Sequence, residues 1–564
     1  MKSRPFRLLT LPLLLSLASC GGGGTIAPAA PTPQPPVTPP TPQPPAPTPD
    51  PVSATYDVTV QKASGSAEQR LPCNRTALDA ACNLRVYQVM VESFVDGDLA
   101  ANFGAGYGSS HHRGDLAGVT ASLDYIKSTG VNAIWLTPIF LSAPKTGQDI
   151  WADRLDATGY FATDYFKIDP RFGTLEQART LVNEAHKRGL SVFFDGVFGH
   201  HKADVAASPS GLKPAGGNDP VDYSKPETLA FYQEVADYWI RELKIDGWRL
   251  DQAYQVPVSA WASLRATVQQ ASQAVSYVGA NGATVHPLGY MVGEVWRGES
   301  DIAQQAYGSN ATPALGSAFD FPLRYRVVQT LATEESGASG RPASNIASGF
   351  ATYAAYPDHA MPNFMLGNHD LVRFGDLVQR AGLGNPDGAD YWLRHKSAFT
   401  FMAAFSGPVT LYYGDEIGQE VPNFAAKVSG DCAAAGLCDD HVSRDSGVVD
   451  GVAGPALSAR ARDLKDYVAT LMRVRAANPA LYNGARTHVY SDTNLYIDRK
   501  DNGENRVLLV MNVKGQAASV TLDPAVTSGA TVLTDLVTGE QVKQGTNGRI
   551  AVGVPGLSAR LLKF

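Results

Sequence analysis

The chain has 564 residues, 44% of them hydrophobic and 18% charged, with a formal net charge of −7. That composition supports a large buried core and a smaller second domain. It carries no basic stripe to neutralise phosphates, which excludes a nucleic-acid partner.

The N-terminus reads as an address. Lys2, Arg4 and Arg7 precede a short apolar stretch, LLTLPLLLSLA, that ends in Leu17-Ala18-Ser19-Cys20. This is an export signal over residues 1–19, and its end resembles a bacterial lipobox, in which Cys20 is lipidated and becomes the first mature residue. An ordinary cleaved signal is the alternative. Residues 20–52 are rich in glycine and then proline (GGGGT, PTPQPPVTPPTPQPPAPTPDP), a composition that stays extended and suits a stalk. Residues 53–83 form an N-terminal extension. Five cysteines leave one odd, which the lipobox absorbs. The close pairs Cys73/Cys82 and Cys432/Cys438 suit disulfides in an exported chain, and neither has a histidine at zinc-site spacing.

From about Leu84, strand-like runs alternate with amphipathic stretches. LRVYQVMV, VNAIWLTP, LSVFFDGV, IDGWRL, GYMVGEV, GSAFDF, FMLGN and PVTLYY are eight strand candidates. LEQARTLVNEAHKRG and ETLAFYQEVADYWIREL, which lie between such runs, repeat apolar residues at helical spacing. Eight such units predict a closed (β/α)8 TIM barrel over residues 84–482, with a short insert after strand 3. After the helix ARDLKDYVATLMRVRAANPAL, six strand candidates separated by turn residues predict a C-terminal antiparallel β domain over 483–564.

Four strings end barrel strands: DGVFGHH (195–201), GWRLDQ (247–252), GEVW (293–296) and LGNHD (366–370). The C-terminal tips of barrel strands are where this fold places its chemistry. Together with YQVMVESFVDGD, GVNAIWLTPIF, TGYFATDYFKIDPRFGT and LYYGDEIG, these strings resemble glycoside hydrolase family 13, the α-amylase family, from Val86 to the C-terminus. The resemblance implies Asp251 as nucleophile, Glu294 as acid/base and Asp370 as a third carboxylate gripping sugar hydroxyls. A retaining glycosidase needs the first two about 5 Å apart across the scissile bond. The fixed charge of Arg249 suits an ionised nucleophile, and Val295 and Trp296 would desolvate Glu294 and raise its pKa. His200 and His369 would hydrogen-bond the sugar, Tyr160 would stack on it, and Trp296 is either a substrate platform or core. Asp195 would orient Arg249, with Asn368 structural beside the site. His201 reads as a rim histidine.

Departures from the family pattern carry information. Gly199 stands where many amylases have a calcium-binding asparagine, and the insert HKADVAASPSGLKPAGGNDPVDYS is short. Asp96, Asp98, Asn102 and Asp115 offer hard oxygen ligands suited to a structural Ca2+; an ordinary polar turn uses the same residues. Tyr254-Gln255 replaces the Lys-His found after the nucleophile in many endo-acting amylases. No cofactor is expected for the chemistry itself.

The expected protein is therefore a lipid-anchored, monomeric α-glucan hydrolase at a cell surface, on the outer membrane or the periplasmic face. Its substrates would be α-1,4-linked starch fragments or maltooligosaccharides. α-Glucosidase, cyclomaltodextrinase and transglycosylase share the four strings, and a non-catalytic glucan-binding barrel is an alternative from another class.

Overall fold

Eight short apolar segments form the centre of the protein: β1 (Arg85–Val89), β2 (Ala133–Leu136), β3 (Ser191–Gly196), β4 (Gly247–Leu250), β5 (Tyr290–Gly293), β6 (Ser317–Phe319), β7 (Met361–Met365) and β8 (Val409–Tyr412). Each pairs in parallel with the next and β8 returns to β1, closing a barrel whose strands run in chain order. These are the eight segments expected from the sequence. This computed structural model describes residues 55–61, 70–103, 110–143, 158–201, 204–216, 220–421 and 443–564. The expected export signal and linker, with Cys20, Cys432 and Cys438, lie outside the described residues.

Barrel strands are apolar on both sides because one face fills the interior and the other meets the helices. Val86, Ala133, Trp135, Phe193, Tyr290, Val292 and Phe319 belong to one buried cluster. Their chain neighbours Ile134, Leu136, Val192, Phe194, Trp248 and Leu250 join a larger one shared with the helices. The helix Leu175–Lys187 starts at a capping box between Thr174 and Gln177 and buries Ala178, Leu181, Val182 and Ala185. The helix Pro226–Leu243 starts on proline and buries Phe231, Tyr232, Val235, Trp239 and Ile240. Between β3 and this second helix lies the short insert, tied back where Tyr223 donates to the Phe198 carbonyl at 2.8 Å. Among the described residues, no helix is long and apolar enough to cross a membrane.

The C-terminal domain has one six-stranded sheet, with Ala485–Ser491, Leu495–Asn502, Asn505–Asn512, Ser558–Lys563, Val532–Asp535 and Gln541–Lys543 in spatial order, all pairs antiparallel. A second sheet pairs Ala518–Leu522 with Ile550–Val554. Gln541–Lys543 and Ile550–Val554 were not among the expected strands: the first is too short and polar, the second broken by Gly553. The N-terminal extension is also more than a connector. Tyr56–Val60 pairs in parallel with Ala518–Leu522 and completes that second sheet as an edge strand. Farther along, Cys73 and Cys82 are joined in a disulfide and pack with Leu84, Val86 and Tyr482 against the barrel's inner cluster.

Candidate active site

All four strings meet on one rim. Asp195 is the penultimate residue of β3. The N–H of Asp251 donates to the Gly196 carbonyl at 3.0 Å, and that of Glu294 to the Leu250 carbonyl at 2.9 Å, so each carboxylate is fixed by the strand before it. Asp370 sits just beyond β7 in a turn held by Asn368, whose Oδ1 accepts the N–H groups of Asp370 (2.9 Å) and Leu371 (3.0 Å).

Arg249, fully buried on β4, is the hub. One guanidinium nitrogen donates to Asp195 Oδ1 (2.9 Å), Asp195 Oδ2 (3.0 Å) and Asp251 Oδ1 (2.8 Å); the other lies 2.6 Å from Glu294 Oε2. The guanidinium also lies 4.8 Å from the centre of the Trp135 ring. Besides this arginine, Asp195 accepts from Trp135 Nε1 at 3.0 Å and from the Tyr160 hydroxyl at 2.8 Å. Three buried carboxylates around one guanidinium leave surplus negative charge in a desolvated space. Burial is the largest cause of the upward shift in both Asp195, at about 7, and Glu294, at about 8; Arg249 pulls both down and Asp251 pushes both up. The expected rise at Glu294 is therefore present. Val295 is buried beside it, whereas Trp296 is 38% exposed, stacked on Phe321 and bonded through Nε1 to the Tyr325 hydroxyl at 2.5 Å.

Tyr160 is buried. Its ring stacks on His369 at 5.3 Å and 9°, and its hydroxyl lies 2.7 Å from His369 Nε2. Gln88 Nε2 lies 2.7 Å from His369 Nδ1. A neutral ring accepting that N–H carries its own proton on Nε2, aimed at Tyr160. His369 Nε2 also lies 3.3 Å from Asp370 Oδ2. His200 faces Asp251 Oδ2 at 3.9 Å through Nε2, while its Nδ1 meets Gln255 Oε1 at 2.8 Å. His201 is buried next to it.

Sequence reasoning missed two residues that hold His369 and Asp370. Arg444, buried in the loop after β8, donates to Asp370 Oδ1 at 2.6 Å and to the His369 carbonyl at 3.0 Å. Gln88 is the second, inside an apolar strand where its only signal was a polar residue at a buried position. Arg444 stands in a polar stretch with no periodicity, so nothing local marked it.

The four residues suggested for calcium adopt a turn-and-cap arrangement. Asp115 caps the helix Leu116–Ala121: Oδ1 accepts the Gly118 N–H at 2.7 Å, and Oδ2 accepts those of Gly97 (2.9 Å) and Asp98 (2.7 Å). Asp98 Oδ1 accepts from Ala100, and Asn102 Nδ2 donates to the Leu99 carbonyl. Among the described residues, no three His, Cys, Asp or Glu side chains are grouped to hold a metal ion. Asp96 Oδ1, however, is buried with no hydrogen-bond partner among the described residues, a feature that a hard cation would satisfy.

The alpha-amylase family, by its catalytic domain, matches residues 88–211 and 216–484. A cyclomaltodextrinase of Thermoanaerobacter pseudethanolicus is 30% identical over 371 residues, 59% of this chain and 57% of that one, so the chain spans little more than half of this relative's length. A cyclomaltodextrinase of Geobacillus thermopakistaniensis is 26% identical over 500 residues, 81% of this chain and 72% of that one. Among solved structures, a variant of AmyP in complex with maltotriose is 53% identical with a TM-score of 0.83, covering 86% of this chain and 99% of that one. The chain belongs to the alpha-amylase family, whose catalytic domain spans its barrel.

Proposed function

We propose that the protein is a retaining glycosidase that cleaves α-1,4 bonds in starch fragments or maltooligosaccharides. Asp251 is the nucleophile, Glu294 the acid/base and Asp370 the third carboxylate. The observation that carries this reading is the single guanidinium of Arg249, within 2.8 Å of Asp251 and 2.6 Å of Glu294. One planar cation pairs with both at the same rim, and membership of the alpha-amylase family supports the double displacement of a retaining enzyme. Glu294, held protonated by its environment, gives its proton to the glycosidic oxygen while Asp251 attacks the anomeric carbon. Its carboxylate then takes a proton from the water that releases the covalent glycosyl-enzyme. Asp370, His369 and His200 hold the hydroxyls of the reacting sugar, and Tyr160 lines the same subsite. The AmyP structure with maltotriose supports this substrate class.

We carry two further parts of the proposal. The protein is exported and held at a membrane through lipidated Cys20, a reading supported by the basic, apolar, Leu-Ala-Ser-Cys order of its N-terminus. A structural Ca2+ on Asp96, for which Asp98, Asn102 and Asp115 would have to turn from their turn-and-cap bonds because they are not grouped as ligands, is supported only by the orphaned Asp96 oxygen; it would brace the loop after β1 and take no part in bond cleavage. Adding calcium to chelator-treated protein should raise Tm, and Asp96→Ala should abolish that rise; no rise in the unmodified protein would remove calcium from the proposal. A cyclomaltodextrinase activity is the second reading, favoured by the two relatives of that name. Product analysis on maltotriose, soluble starch, cyclodextrin, pullulan and sucrose, with the anomer followed by NMR, tests the function. First-formed α-products from maltotriose or starch are expected; β-products or no release from any of the five would overturn it.

A further inference from the structure

Behind Asp370 and His369, Arg444 belongs to a buried row of charged groups whose other members, Glu92 and His112, lie between β1 and the helix Leu116–Ala121. Glu92 stands in the turn Val91–Ser93 that directly follows β1 and is fully buried. Its Oε2 meets His112 Nδ1 and accepts from the Ser110 hydroxyl at 3.3 Å. The Ser93 hydroxyl stands 2.7 Å from Glu92 Oε1 and 3.1 Å from the Arg444 carbonyl oxygen. Burial alone would raise the Glu92 carboxyl, but His112, Ser93 and Arg444 outweigh it and hold the group below its ordinary value. Glu92 therefore stays ionised at neutral pH. Arg444, in turn, is held charged against burial by Asp370 and, among others, Glu92.

The backbone around Arg444 is committed to this arrangement. His112 has φ 48°, a left-handed conformation costly for a residue other than glycine, and its N–H donates to Ser110 Oγ at 2.9 Å. Two bonds join this region to the segment that carries Arg444. The His111 N–H donates to Ser446 Oγ at 3.0 Å, and the Gly447 N–H donates to the Ser93 carbonyl at 2.9 Å. A Cβ at 447 would come within 2.5 Å of the Phe94 carbonyl oxygen, so backbone lies directly on backbone there. On the opposite flank, Arg373 Nε donates to Asp445 Oδ1 at 2.7 Å, and its N–H donates to Ser443 Oγ at 3.0 Å. Arg444 is thus gripped through both of its chain neighbours. With its backbone fixed, the balance of carboxylates around the guanidinium decides how firmly it holds each one.

We propose that Glu92, held in place by His112, is a positioning residue for the reaction: through Arg444 it sets the grip of Asp370 on the reacting sugar. This rests on the hydrolase reading above. Arg444 already donates to Asp370 Oδ1 at 2.6 Å and to the His369 carbonyl at 3.0 Å. A stronger hold would keep that carboxylate oxygen from the sugar hydroxyls, and a weaker one would let Asp370 turn away from them. Glu92 draws on the same guanidinium from the β1 side and keeps its hold between these extremes. Asp370 grips the sugar as it distorts, so the effect falls on kcat more than on KM.

The test is a double-mutant cycle of Glu92→Gln and Arg444→Gln in the full-length protein, with maltotetraose as substrate. kcat is expressed per active site, counted by the mass shift when 5-fluoro-α-maltosyl fluoride traps the nucleophile, so that misfolded protein does not enter the value. Glu92→Gln is expected to lower kcat about tenfold, with KM within about threefold, and to lower it no further once Arg444 is replaced. His112→Ala is expected to lower kcat by a similar factor. His112→Asn should restore it to within about threefold, because asparagine tolerates the left-handed backbone and keeps an N–H for Glu92. An unaltered kcat in Glu92→Gln, or the same loss with and without Arg444, would overturn the proposal and leave the hydrolase reading standing. Should Glu92→Gln yield no folded protein, equal losses in His112→Ala and His112→Asn would overturn it instead. Unmodified protein that releases no sugar from maltotetraose would overturn the hydrolase reading and this role with it.

Discussion

At the scale of single residues, catalytic roles rest on how one arginine distributes its charge. Asp251 and Glu294 share Arg249, so removing either carboxylate removes half of a coupled pair. Asp251→Asn and Glu294→Gln are each expected to lower kcat by at least about 10³-fold. Circular dichroism should show the barrel intact, and near-normal turnover in either variant would refute the assignment. Burial pushes the Glu294 carboxyl up to about 8, so its acid form persists through neutral pH, and kcat/KM should fall as pH rises through about 8. The stability linkage has a related sign. The folded state binds this proton more tightly than the unfolded one, so burying Glu294 costs nothing below about 4.5 and destabilises progressively as pH rises toward about 8. A flat pH–rate profile from 6 to 10 would contradict the role. The three carboxylates, Arg249, His200 and His369 were legible because each lies within a string tied to a strand end. Arg444 and Gln88 were not, since each reaches the site from a segment whose local pattern says nothing about its partner.

At the scale of elements, much of the stitching is done by segments that looked like connectors. Arg475, in the helix Ala459–Ala477, is buried and donates to the carbonyls of Cys82, Ala403, Phe405, Gly407 and Leu481. It thus ties the disulfide-bearing extension, the approach to β8 and the entry to the C-terminal domain at one point, where orphaned carbonyls would each carry a desolvation cost. Tyr56–Val60 is the comparable case for the C-terminal domain. It covers the edge of Ala518–Leu522, buries Val60, and places the Tyr56 hydroxyl 2.5 Å from Asp492. Removing residues 1–51 should leave Tm unchanged, whereas removing residues 1–61 should lower it by several degrees, corresponding to about 2 kcal/mol of lost burial and edge pairing. Equal Tm values for the two truncations would show the strand to be dispensable.

At the scale of the whole molecule, the question is what reaches the rim and where the enzyme resides. The insert after β3 is short, and Tyr254-Gln255 stands where many endo-acting amylases carry Lys-His, so few walls extend the groove. Maltotriose and maltotetraose should therefore give a higher kcat/KM per chain than soluble starch. A large preference for starch, with long products released early, would reveal an extended groove. For location, Cys20→Ala is expected to abolish detergent-phase partitioning of the full-length protein. Unmodified protein found wholly in the aqueous phase, with an N-terminus other than Cys20, would refute the anchor.

The sequence by itself determined the barrel, its eight strands in order and the four strings that meet at its rim, because hydrophobic period and strand-end position are local properties. It also carried the disulfide between Cys73 and Cys82, whose short spacing was sufficient signal. Only the tertiary structure decided which distant groups meet. Arg444 on Asp370, Gln88 on His369, Gly199 making room for Gln255, and Tyr56–Val60 completing a sheet near the other end of the chain each depend on closure of the barrel and docking of the second domain. Contacts between residues far apart in sequence leave no periodicity to read; they exist because packing brings charge to charge and fills the space that a missing Cβ leaves.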